Sequence, residues 1–186
     1  MDRREAVQYI SLLLGGTLVG GTTYLTGCKS DTGKQMSFSA DDIAYLDEIS
    51  NTILPDTSTP GAKAAMVGQF MTVMINDCYE EKDQKIFHEG MDKLNDLSKK
   101  TYDNSFMKIT DQQRHDLLVK LDGEQKEYMK NKKKDDPSHY FRMMKELTML
   151  GFFTSEIGCT KARRYVESPG KYDGNLPYKK GDKAFA

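Results

Sequence analysis

The chain has 186 residues, of which 38% are apolar and 30% charged, with a net charge of −1. That size and balance fit one globular domain and leave no electrostatic footprint for nucleic acid. Eleven methionines act as adaptable core filler, the absence of tryptophan disfavours a carbohydrate-stacking site, and three cysteines are too few for a disulfide scaffold.

Residues 1–27 read as an export signal. Arg3 and Arg4 make a positive start, and no charge follows from Tyr9 through Gly27. The apolar run between them is diluted by Gly15, Gly16, Gly20, Gly21 and Gly27, whereas a stable membrane span needs about 20 strongly apolar residues in a row. Leu25-Thr26-Gly27-Cys28 resembles a bacterial lipobox, in which Cys28 is lipidated and becomes the mature N-terminus. The Arg3-Arg4 pair also resembles a twin-arginine signal, without the Phe-Leu-Lys part, so the export route stays open between Sec and twin-arginine. Residues 28–37 are then a polar tether. Residues 38–186 form the folded domain, lipid-anchored in a bacterial cell envelope and facing the periplasm.

The first helix is announced by Ser39 as cap, Asp41 and Asp42 at the positive end of the dipole, and Phe38 stapling onto Ile43. Ile43, Leu46, Ile49 and Ile53 make its stripe, and Pro55 ends it. Thr59 with Pro60 predicts the start of a second helix running to Cys78, apolar on nearly every face and therefore central or covered by a partner. Glu80 and Glu81 open a third helix, with Ile86, Phe87, Met91, Leu94 and Leu97 on its buried face. Thr110 and Gln113 form a capping box for a fourth, carried by Leu117, Leu118 and Leu121. The charged run 131–136 is a solvated linker. A fifth helix starts at Pro137 or Ser138 and carries the densest apolar stretch, residues 145–158. Past Arg164 the glycines and prolines exclude regular helix, and the tyrosines imply packing against something. The fold class is all-α, a bundle of about five helices with an irregular C-terminal tail packed on it.

No catalytic, cofactor or metal constellation emerges. His88, His115 and His139 fall on separate helices, and a His88/Asp92 pair has no second pair to complete a metal site. Ser155 lies in Thr-Ser-Glu-Ile-Gly in a helical setting, not in a nucleophile elbow. Glu146 and Glu156, the one apolar-framed carboxylate pair, stand about 15 Å apart along a helix, too far for sugar hydrolysis. Cys78 and Cys159 are candidates for a disulfide closing a loop of about 80 residues, worth on the order of 4 kcal/mol. The alternative is two buried free thiols.

Several segments together resemble the gluconate 2-dehydrogenase subunit 3 family. They are Ile53-Leu54-Pro55-Asp56-Thr57-Ser58-Thr59-Pro60-Gly61-Ala62, the stretch from Phe141 to Gly158, Pro169-Gly170-Lys171-Tyr172-Asp173-Gly174, and Pro177-Tyr178 with the residues after Gly181. Position 175 is Asn where many relatives carry Cys, Phe185 stands where Trp is commoner, and Cys159 fills a place that is usually small. The resemblance implies a non-catalytic accessory subunit that escorts, stabilises and tethers a periplasmic FAD-dependent dehydrogenase of sugars, sugar acids or polyols. FAD would sit in a GMC-type partner subunit, and haem c in a cytochrome c subunit where one is present. The interface would take in Phe152, Phe153, Thr154, Ser155, Glu156, Tyr165, Tyr172, Tyr178 and Phe185. From Lys161 onward seven Lys and Arg face three Asp and Glu, which suits an acidic partner. The competing reading is a stand-alone structural lipoprotein.

Overall fold

The computed structural model describes residues 37–168, 170 and 172–185. Arg3, Arg4, Leu25, Thr26, Gly27 and Cys28, and with them the signal and lipidation readings, lie outside the described residues. The described residues form five α-helices and no sheet, in keeping with the all-α expectation. The helices are α1 (Ala40–Ile53), α2 (Val67–Cys78), α3 (Glu81–Tyr102), α4 (Asp111–Asn131) and α5 (Tyr140–Thr154). A 3-10 turn, Phe106–Lys108, joins α3 to α4, and a π-helical turn, Gly158–Ala162, follows α5.

The starts of α1 and α4 are set by local chemistry. Ser39 accepts from the Asp42 N–H while Asp42 accepts from the Ser39 N–H, and Thr110 and Gln113 make the same reciprocal pair. The core is one cluster drawn from all five helices, including Leu46, Ile49, Met71, Ile75, Phe87, Leu94, Leu121, Met144 and Leu147. Phe106 from the 3-10 turn also enters it, edge-on to Tyr45 at 5.5 Å.

The second helix starts later than Thr59 and Pro60 predict. Asp56 accepts the Gly61 N–H at 2.6 Å and the Ala62 N–H reaches back to the Leu54 carbonyl at 2.9 Å. The chain therefore turns through residues 61–66, with Met66 at a φ of 53°, and only then becomes helical at Val67. A hydrogen-bonded turn across Pro55 outcompetes the Pro60 start signal. Gly68 then sits against α1: a Cβ there would lie 2.5 Å from the Ile43 carbonyl oxygen. Its N–H donates to Asp47 at 2.7 Å, an acceptor whose carboxyl burial pushes above its ordinary range. On α2's other side Phe70 covers Gly151 of α5, where a Cβ would meet the ring at 2.6 Å. The third side is open, for Val73 is 52% exposed and Met66 is exposed too.

Charge ties the bundle's other edge. Arg114 of α4 pairs with Glu48 of α1 and donates to the Phe106 and Met107 carbonyls, both at 3.0 Å, while Lys63 reaches Glu48 at 2.9 Å. Both Arg114 and Glu48 are nearly buried, so truncating either would strand the other's charge.

Gly68→Ala is expected to lower stability in urea unfolding by about 1–3 kcal/mol, because its Cβ meets backbone that cannot yield cheaply. Gly123 lies mid-helix with open space around it, and Gly123→Ala should raise stability by about 0.5–1 kcal/mol. Equal unfolding midpoints for the two variants would contradict the close packing of α1 on α2.

Candidate functional site

The outward face of α5 changes character along its length. Arg142 and Glu146 form an exposed i,i+4 ion pair at 2.7 Å, but one turn later the same face carries Met149 and Leu150, both exposed. The polar Thr148 on the inner face is satisfied by its own helix, its hydroxyl donating to the Met144 carbonyl at 2.8 Å.

Ser155 ends the helix. Its backbone is extended at φ −72°, ψ 159°, its hydroxyl donates to the Phe152 carbonyl at 2.7 Å, and the Ser155 Oγ accepts the Gly158 N–H at 3.0 Å. The expected continuous helix across residues 145–158 is therefore broken at Ser155, which caps the turn that follows. Glu146 and Glu156 fall on either side of this break, and both are exposed.

Beyond the π turn the chain leaves at Arg164 and comes back at Phe185 in an isolated parallel bridge, with the Arg164 N–H donating to the Ala184 carbonyl at 2.8 Å. The guanidinium of Arg163 lies 4.7 Å from the Phe153 ring centroid, and that of Arg164 lies 4.8 Å from the Phe185 ring. The expectation of a tail packed on the bundle is corrected: Tyr172 is 95% and Tyr178 75% exposed, and Tyr165, Val166 and Leu176 are exposed as well.

The expected interface residues divide accordingly. Phe152 is buried in the core and is not available to a partner, since its position on α5 follows the inner stripe of Thr148 and Gly151. Phe153 and Ser155 are half-buried, the first beneath Arg163 and the second spent on capping. Thr154, Glu156, Tyr165, Tyr172, Tyr178 and Phe185 are exposed. Met149, Leu150, Arg163 and Arg164 belong to the same region. Met149 and Leu150 follow the outward face of Arg142 and Glu146 by helical spacing, but their apolar character hides this in composition, and the sequence does not show that Arg163 and Arg164 stack on Phe153 and Phe185.

The candidate disulfide is not made. Cys78 and Cys159 are both free thiols, Cys78 exposed at the end of α2 and Cys159 half-buried with its thiol donating to the Phe153 carbonyl at 3.3 Å. His88 stacks on Phe38 at 4.2 Å, and burial holds its pKa below the ordinary value against the pull of the Asp42 and Asp92 carboxylates. Among the described residues no three His, Cys, Asp or Glu side chains converge as a metal site would require.

A cleft of about 220 Å³ lies between α1, α4 and α5, floored by Phe141 and Leu118 and rimmed by Thr52, His115, Asp122 and Lys145. Its charges are already matched. Burial raises the Asp122 carboxyl, but hydrogen bonds from Lys126 at 2.6 Å, Lys145 at 2.5 Å and Gln125 at 3.2 Å outweigh it and bring its pKa down to about 2. A carboxylate held so firmly ionised is a strut between α4 and α5, not a proton-transfer group.

A family model described as gluconate 2-dehydrogenase subunit 3 matches residues 40–170. The chain belongs to that family. The match runs from the first residue of α1 through the π turn and takes in both the Asp56–Gly61 turn and the Ser155 break. This family member is accordingly a subunit of a dehydrogenase complex, an oxidoreductase. No curated protein and no solved structure matches it. Among the described residues no helix is long and apolar enough to cross a membrane.

Because the folded pKa of Asp122 lies below the roughly 3.9 of an unfolded Asp, its stabilisation is complete above about pH 4 and is lost as the pH falls through about 2. Asp122→Asn should lower stability at neutral pH and flatten this acid limb in unfolding titrations. An acid limb identical to wild type would contradict the strut.

Proposed function

We propose that this subunit is a non-catalytic escort: it stabilises an FAD-dependent dehydrogenase subunit of the GMC type and tethers it to the membrane through a lipid on Cys28. The substrate of the complex would be a sugar, sugar acid or polyol, and a cytochrome c subunit would take the electrons onward. The observation that carries this reading is the surface at the end of α5 and the tail. There Leu150, Tyr165, Tyr172 and Tyr178 stand exposed in a member of a dehydrogenase-subunit family. Exposed aromatic side chains beside basic ones are the composition of a protein interface, not of a free surface.

In support of a non-catalytic role, the polar groups nearest to a reactive arrangement are already occupied. The cleft carboxylate is locked in ion pairs, Glu146 is paired with Arg142, and Ser155 is committed to capping. In this reading the chemistry lies with the partner, where a bound FAD would supply the hydride acceptor. The subunit's contribution is binding energy that favours the folded partner, which by mass action raises the partner's stability.

Purification of the subunit from membranes is expected to bring with it a yellow protein with flavin absorbance and dehydrogenase activity. Cys28→Ala should move that activity from the membrane fraction to the soluble fraction without abolishing association. A colourless chain with no partner would leave the stand-alone structural lipoprotein as the better account.

A further inference from the structure

The two arginines that follow the π turn do different jobs. Arg163 lies on Phe153, which packs against the core, and so fixes the chain to the end of the bundle. Arg164 joins the far end of the tail to this point, through its N–H to the Ala184 carbonyl and its guanidinium over Phe185. Lys183 adds a hydrogen bond to the Lys161 carbonyl. The segment is thus closed at its base before any partner arrives.

Its tip is also shaped locally. Asp182 accepts the Lys179 N–H at 2.8 Å, and its own N–H donates back to the Lys179 carbonyl at 3.0 Å. Gly181 supports the turn with a φ of 99° that side-chain-bearing residues rarely adopt. This turn holds up Tyr178, Lys179 and Lys180, all exposed. The ion pairs among the described residues all lie within the bundle, so among those residues none engages Lys161, Arg163, Arg164, Lys179, Lys180 or Lys183. Asp182 itself is spent on the turn.

We propose that the C-terminal segment is a pre-closed docking loop, riveted by the Arg163–Phe153 and Arg164–Phe185 stacks, that seats Tyr178, Lys179 and Lys180 on an acidic face of the flavin subunit. This rests on the escort reading and adds to it which residues bind, what charge the partner's face carries, and why the loop is closed in advance. A free chain of this length would lose its freedom on docking, whereas a loop already closed at its base loses less and binds faster. Exposed lysines directly after a tyrosine steer an acidic surface into place, and the tyrosine supplies contact area at low entropy cost.

The test measures association of the full-length chain with the flavin subunit co-purified with it, as a function of salt, with circular dichroism to check that each variant is folded. The double variant K179E/K180E should weaken binding about tenfold or more and flatten its salt dependence. R164A/F185A should weaken it about tenfold through slower association while leaving the salt dependence intact, and Phe185→Tyr should bind as wild type does. K120E on α4 serves as the remote control. Wild-type affinity in both double variants would overturn the docking loop while leaving the escort reading standing. Failure of the wild-type chain to bind any flavin subunit would remove both. Unchanged affinity for that subunit together with lost binding to phosphatidylglycerol vesicles would overturn the proposal in favour of a lipid surface.

Discussion

The architecture depends on how closely α2 is held between α1 and α5. Gly68 lets its first turn touch the α1 backbone at Ile43, with the Asp47 carboxylate receiving the Gly68 N–H, and Gly151 lets the Phe70 ring approach α5 closely. Two glycines on different helices thus remove the side chains that would push the three apart. Met71 and Ile75 are buried completely as a result, and the C-terminal end of α5 is fixed where the bundle stops. The Arg114–Glu48 pair and the Asp122–Lys145 pair then brace α4 against α1 and α5 from the other side.

Local signals were legible from the residues alone. The capping boxes at Ser39 and Thr110, the stripe of α1, and the inward positions of α3 and α4 depend on neighbours three or four residues away, and they stand where periodicity places them. Features decided by distant or competing contacts were not legible. Pro60 looks like a first helical residue, but Asp56 captures the Gly61 N–H and defers the helix to Val67. The run around Ser155 looks continuous by composition, yet its hydroxyl can satisfy both the Phe152 carbonyl and the Gly158 N–H, and the helix breaks there. The all-round apolar character of α2 implied a helix that is central or covered by a partner; two of its faces are covered by the bundle, and Val73 and Met66 on the third are exposed.

The functional region follows the same division. Aromatic and basic composition marked the tail, while only the geometry distinguishes Phe152, turned into the core, from Phe153, half-buried under Arg163. The family's motif segments take on physical meaning as structure: Asp56 to Gly61 is a hydrogen-bonded turn that aims α2, and Thr154 to Gly158 is a helix stop that aims the tail. Neither segment assembles reactive groups. Both position a surface, which supports the proposal that this subunit of a dehydrogenase complex acts by contact.

The central claim is that this subunit meets its dehydrogenase partner through the end of α5 and the tail. Lysine cross-linking of the complex purified from membranes, followed by mass spectrometry, reads that contact directly. The account predicts cross-links to the flavin subunit from Lys161, Lys179, Lys180 and Lys183, with Lys120 and Lys130 of α4 unlinked. Links from α4 with none from the tail would contradict it.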